Sequence, residues 1–328
     1  MTETIILFKQ MIIMFFIALI GLIAYKKNII DDASCKRISS LIVNVANPAL
    51  IISSVINSSG HVEVKNMYLA FLCGLILYAV LVAVSGIWPR LLRVEKSKYG
   101  TYKVMMIFSN IGFMGFPIME AVYGSDSLLL GTTMLLPFNV LIYTYGVWCL
   151  KKDCEEQKSK KRSKKDIIKQ VFNNGVIACM IAFCLFFCDI HLPDVVNQTV
   201  EKISAITAPL SMIVIGASFA SLNLKELILD VRLWIMSALK LLIIPFVGTI
   251  TFIFLLKTCG FDVNDIIIKC LINVVMLILA TPIGSMTVML AQEYGGDVKL
   301  TTKGVAFSTL LSVITIPFVS GIVGMIVG

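Results

Sequence analysis

Two apolar stretches carry polar and helix-breaking residues in the middle, where a purely greasy membrane helix would avoid them. Residues 108–126 read FSNIGFMGFPIMEAVYGSD and residues 279–297 read LATPIGSMTVMLAQEYGGD. In the first, Pro117 lacks a backbone donor and clashes with the carbonyl four residues back, while Gly112 and Gly115 tolerate non-helical dihedrals. Uncovered peptide groups are costly in hydrocarbon, so such a break survives only when buried in protein or lining a wet cavity. Pro117 is placed to start a half-helix running to Tyr123, whose first N–H groups and positive dipole end would face that cavity. This arrangement suits an anion without a formal buried charge. Asn110 adds an amide donor; Thr281, Ser285 and Thr287, beside Pro282, add hydroxyls from the second stretch. Taken alone, the first stretch is equally compatible with a proline kink that serves packing.

Other groups have weaker claims. Lys240 falls roughly 10 Å inside an apolar stretch at 1.5 Å per residue. It can snorkel to the interface, act as countercharge for a substrate, or be a fixed cation that steadies the broken helices. Glu120, one turn from the outer end of the half-helix, is a candidate proton carrier or an outer-vestibule residue. Asn47, ahead of Pro48, is expected either to line the cavity or to satisfy the carbonyl freed by that kink. Asn139 and Tyr143 near Pro137 would support the site at second hand. Asp126 and Asp297 follow the two breaks as helix caps, and His61 and His191 fall in outer loops.

The elements that must position these residues follow from composition. Of 328 residues 58% are hydrophobic and 15% charged, with mean hydropathy +0.92, which marks an all-α polytopic membrane protein. No cleavable signal peptide is expected, since the first apolar run has almost no basic flank and no A-x-A-like site follows. Nine cysteines are scattered without a CxxC pair, so buried free thiols are expected and neither metal nor redox chemistry. No His/Asp/Glu or Ser/His constellation lies within the apolar stretches and no nucleotide-binding motif occurs, which argues against catalysis and ATP-driven transport.

Windows of about 20 apolar residues place ten spans near 5–24, 38–57, 67–88, 103–123, 128–150, 171–189, 203–221, 233–256, 266–291 and 304–327. One set of loops then holds 22 Lys and Arg and the other 5, so the first set is assigned to the cytoplasm and both termini to the outside. Residues 1–150 form a first five-span repeat and 171–328 a second, joined by a basic cytoplasmic linker, 151–170, that enforces topology or meets anionic lipid. Five is odd, so two similar halves must be inverted. Pro48 pairs with Pro209, and the two broken spans pair with each other. At an offset of 171, Asn110 falls on Thr281 and Tyr123-Gly124-Ser125-Asp126 on Tyr294-Gly295-Gly296-Asp297. Paired broken segments in two halves are the best sequence-level pointer to a transport site, and inverted halves can exchange conformations to give alternating access.

These stretches resemble the auxin efflux carrier family, whose members include bacterial carboxylate and malonate carriers and the plant PIN-FORMED auxin exporters. The resemblance spans the chain. It rests on IALIGLIAYKKNIID, LIVNVANPALIISSV, SNIGFMGFPIMEAVYG, TAPLSMIVIGASFA, LKLLIIP and ATPIGSMTVMLAQEYGGD. It implies ten transmembrane helices as two inverted repeats with helices 4 and 9 broken and crossing, an arrangement like that of bile acid/sodium symporters and NhaA-type exchangers. Spans 1, 2, 6 and 7 would be a scaffold, and spans 3–5 and 8–10 a moving transport domain with an elevator motion. The family's carboxylate-contacting Asn lands on Asn110 and its crossover proline on Pro117. Where the plant proteins carry a further proline, this chain has Thr287, which favours the bacterial organic-acid branch. The expected protein is therefore a multi-pass cell-membrane carrier of mono- or dicarboxylates such as malate or malonate, or of auxin-like acids. An ion channel and a sodium-coupled, bile-acid-like symporter are the alternatives. No cofactor is expected beyond a coupling H+ or Na+, and no nucleic acid. The partners are the carboxylate and the bilayer; a homodimer is one arrangement the sequence leaves open.

Overall fold

The computed structural model describes residues 2–56, 62–153, 174–188, 190, 192–220, 227 and 229–327. His61, His191 and most of the basic linker lie outside the described residues. Every named element is helical, and among the described residues seven helices are long and apolar enough to cross a membrane. We label the helices α1 (Thr2–Lys26), α2 (Asp32–Ile56), α3 (Val64–Val84), α4 (Tyr99–Ile107), α5 (Ile111–Asp153), α6 (Asn174–Phe187), α7 (Asp194–Phe219), α8 (Val231–Thr258), α9 (Ile266–Ala280), α10 (Met286–Tyr294) and α11 (Val298–Val327).

Of ten expected spans seven qualify among the described residues; two others are interrupted, and of the one expected at 171–189 the described helix is Asn174–Phe187, 14 residues. The span expected at 103–123 is divided between α4 and the first part of α5, and that at 266–291 between α9 and α10. Each piece is shorter than the roughly 20 residues a bilayer needs. Conversely, α5 runs for 43 residues but changes direction at Gly124, where φ is 79° and ψ 178°. The second half repeats the device at Gly295, φ 81°. In both, glycine adopts a backbone that other residues reach only at a cost.

Proline writes a second recurring feature. Pro48, Pro117 and Pro245 each follow a wide π-helical turn, at Ile42–Ala46, Ile111–Gly115 and Leu239–Ile243. The carbonyl that each proline ring would strike, four residues back, lies inside that turn. Widening the turn moves the carbonyl aside and keeps the helix continuous.

The lipid-facing helices are apolar on all sides, as a membrane helix must be; Phe8, Phe16 and Ile20 of α1 are exposed. The inner face of α1 packs on α7 with backbones nearly touching. A Cβ at Gly216 would overlap the Ala18 carbonyl, and one at Gly21 the Ile213 carbonyl, the small-residue packing typical of membrane helix pairs. Likewise, α2 packs on α6.

At the end of α5, Asp153 caps a different helix. Its carboxylate accepts the N–H of Gly100 (2.7 Å), the N–H of Thr101 (2.7 Å) and the Thr101 hydroxyl (2.9 Å). This satisfies free donors of the first turn of α4 across 53 residues of chain and fixes where α4 enters the membrane. Asp297 does cap its own helix, accepting the Leu300 N–H at 2.9 Å, and it pairs with Lys98 at 3.3 Å.

Candidate functional site

The two interrupted segments meet. Between α4 and α5 the chain is extended at Phe108, with φ −96° and ψ 104°. Between α9 and α10 it is extended at Thr281, with φ −64° and ψ 145°. Ser109 and Ile283 form an antiparallel bridge there. The Asn110 N–H donates to the Pro282 carbonyl (2.7 Å) and the Gly284 N–H to the Phe108 carbonyl (2.9 Å). The Ile283 N–H donates to the Ser308 hydroxyl of α11 at 3.1 Å. Peptide groups freed by each break thus satisfy the other break, which answers the cost of leaving them bare. Gly284 is required: a Cβ would come to 3.0 Å from the Ser109 carbonyl oxygen.

Pro117 is not at the break. The helical path resumes six residues earlier, at Ile111, with Asn110 as its N-cap, and Pro117 is buried within continuous helix. The dipole end expected at Pro117 therefore belongs to Ile111. The reason is the π turn, which accommodates the proline and lets the helix begin upstream of it. Gly115 faces the second break, a Cβ built there lying 3.5 Å from a Thr281 methyl, and a Cβ built at Gly112 would lie 3.2 Å from the Asn47 amide nitrogen.

Beside the crossing lies a cavity of about 90 Å³, closed by α2, α5 and α6. Its polar lining is Asn47, Ser109, Asn110, Asn139, Tyr143 and Ser285; Phe108, Phe113, Phe116 and Phe138 supply aromatic walls. Among the described residues no acidic or basic side chain lines it. Asn110 is 3% exposed and its amide nitrogen has no hydrogen-bond partner; the amide oxygen of Asn47 is likewise unmatched. Among the described residues, one buried donor and one buried acceptor without partners thus border this cavity, whereas most buried polar atoms in proteins are satisfied. Ser285 starts α10 without spending its hydroxyl on a cap.

The threonines are used otherwise. Thr281 donates to the Ile278 carbonyl at 3.1 Å and Thr287 to the Gly284 carbonyl at 2.6 Å. Both are fully buried and neither lines the cavity. Pro282 contributes its carbonyl to the crossing rather than a surface to the cavity. Glu120 is half-buried on the far stretch of the half-helix and stands apart from the cavity.

Lys240 is fully buried, not snorkelled. Its ammonium donates to the Ser109 hydroxyl at 2.6 Å and to the Met106 carbonyl at 3.2 Å. It sits at the C-terminal end of α4, where the helix dipole favours a cation. Sequence reasoning missed four contributors: Ser109, Gly284, the phenylalanine walls, and Gly175 with Cys179 of α6. Gly284 was visible as a glycine inside the second break. The phenylalanines carry no signal that separates a cavity wall from ordinary core.

The profile of a family described as membrane transport protein matches residues 6–320. An uncharacterized transporter from Methanothermobacter thermautotrophicus is 23% identical over 317 residues, covering 92% of this chain and 93% of that protein. An uncharacterized transporter from Methanocaldococcus jannaschii is 23% identical over 323 residues, covering 93% and 95%. With a profile match of that extent, over a helical chain whose two broken segments cross beside a buried polar cavity, this chain belongs to the membrane transport protein family, that of the auxin efflux carriers.

Proposed function

We propose that this protein is a secondary carrier of small organic anions, holding one carboxylate in the cavity beside the helix crossover. The observation that carries the reading is the Asn110 amide: a buried donor without an acceptor, on a cavity with no charged lining. Neutral donors hold a carboxylate and still release it, which a carrier needs more than tight affinity. Three of the polar lining residues, Ser109, Asn110 and Ser285, belong to the crossing segments, and four phenylalanines with aliphatic side chains supply apolar wall. That distribution suits one carboxylate on an apolar body better than two carboxylates at opposite ends.

The chain is read as ten spans in two inverted repeats, in the cell membrane with both termini outside. Packing supports the inverted arrangement. α1 lies on α7 and α2 on α6, so the first span meets the seventh and the second meets the sixth. Exchanging the halves turns one pair into the other. Spans 1, 2, 6 and 7 then form the scaffold against which the crossover domain moves in an elevator-type cycle.

The test is a thermal-shift panel on the purified protein, with malate, malonate, succinate, benzoate and indole-3-acetate. Each is run with and without sodium and at two pH values, followed by flux of whichever acid binds. Saturable uptake with counterflow supports a carrier. Non-saturating flux would support a channel, and no shift with any acid would remove the anion reading.

A further inference from the structure

Ser109 has an unusual hydrogen-bond position. Its hydroxyl oxygen accepts from the Lys240 ammonium at 2.6 Å. An ammonium has three donors and no lone pair, whereas a hydroxyl has one donor and two acceptor sites. Lys240 therefore occupies one of the hydroxyl's lone pairs and can take nothing from it. The Ser109 proton must go elsewhere, and among the described residues no acceptor receives it. Ser109 is 4% exposed and borders the cavity next to Asn110, whose own amide nitrogen is unmatched. Two adjacent buried donors thus lack acceptors beside one cavity.

Lys240 is the other half of the observation. It is fully buried and makes no ion pair among the described residues, its partners being a hydroxyl and a carbonyl. A buried cation without a carboxylate is costly unless its surroundings compensate. Here one neutral hydroxyl separates the ammonium from the cavity. We propose that Ser109 is a further substrate-binding residue, its hydroxyl fixed by Lys240 as a donor toward the substrate carboxylate beside Asn110. Lys240 is then a positioning residue: it touches no substrate, but it orients Ser109 and supplies a positive field one hydroxyl away. The guest's negative charge completes what the buried ammonium lacks. This inference rests on the carrier reading and names how that site distinguishes an acid from its neutral analogue.

The test uses the full chain in detergent or nanodiscs, with benzoate and succinate as probes and benzamide and succinamide as their neutral counterparts. Wild type is expected to bind an acid and ignore its amide. Ser109→Ala should weaken acid binding about tenfold or more, as for loss of a hydrogen bond to a charged group, and should narrow the acid-over-amide preference. Ser109→Thr, which keeps the hydroxyl, should stay within about threefold of wild type on the same reasoning. Lys240→Met should lose the acid preference as Ser109→Ala does. If Lys240→Met does not run as a monodisperse peak, the two Ser109 variants decide alone. Wild type that binds no acid would defeat the carrier reading and this inference together. Wild type that binds, with Ser109→Ala binding equally well, would overturn only the Ser109 assignment.

Discussion

Asn110 and the two threonines show how one kind of sequence signal, a polar side chain at a break, divides once the chain is folded. The Asn110 backbone is fully employed, its N–H on Pro282 and its carbonyl accepting from Met114 and Gly115, while its side-chain nitrogen is idle. We expect Asn110→Ala to keep the fold and weaken carboxylate binding about ten- to a hundredfold, the range for a hydrogen bond to a charged group; substrate-induced thermal shift reads this directly. Thr281 and Thr287 spend their hydroxyls on nearby carbonyls. Thr281→Val and Thr287→Val should leave acid affinity within about twofold and lower stability by about 1 kcal/mol each, the net worth of one such bond. A loss of affinity in either variant would return the hydroxyl to the site. Sequence alone could not separate these outcomes. Asparagine and threonine at a break both read as donors, and only the fold shows which donor already has an acceptor.

At the scale of elements, local rules were largely legible. The matched YGSD and YGGD endings signalled the two half-helix ends, and Gly124 and Gly295 both adopt positive φ there. Nothing lies within 4 Å of a Cβ built at Gly124, so Gly124→Ala meets conformational strain alone. A loss of about 1–3 kcal/mol is expected, measurable as a lower unfolding temperature. Gly216→Ala should be far worse, because its Cβ meets the Ala18 backbone and rigid helices cannot yield. Loss of the monodisperse peak in size-exclusion chromatography is the expected result, with Gly86→Ala, where nothing lies within 4 Å, as the neutral control. Pro117 was legible as a helix disturbance but not as to where the disturbance would fall. A proline can be absorbed by a break or by a wide turn, and its own sequence does not choose. The Asp153 cap on α4 was not legible at all. It joins residues 52 and 53 apart, and Asp153→Ala should cost about 2 kcal/mol or more, as for removal of a charged N-cap; a shift of the unfolding midpoint checks it.

For the whole molecule, the arrangement of two repeats makes one prediction about access. The cavity is bordered by Gly175 and Cys179 of α6 and by Tyr143 of α5, residues near the ends that adjoin the basic linker. Cys179 is buried, so a reagent reaches it only when the cavity opens during the cycle. In a chain whose other eight cysteines are serine, a membrane-impermeant maleimide should label it slowly from the cytoplasmic face and not from the outside, and a bound acid should change that rate. Labelling from the outside alone would reverse the orientation inferred from the 22-to-5 distribution of basic residues.

What the sequence by itself determined is what depends on neighbours along the chain. Apolar length gave the membrane helices, glycine and proline gave the breaks, and the order of motifs gave the family. The resemblance already implied that the two broken helices cross; only the tertiary structure decided which peptide groups pair there, that Lys240 lies behind the crossing rather than reaching for the interface, and which donors are left without acceptors. Those outcomes depend on hydrogen bonds between residues more than a hundred positions apart, such as Lys240 with Ser109 at a separation of 131. No local pattern encodes such partners, because the energy that selects them comes from satisfying every buried polar group at once.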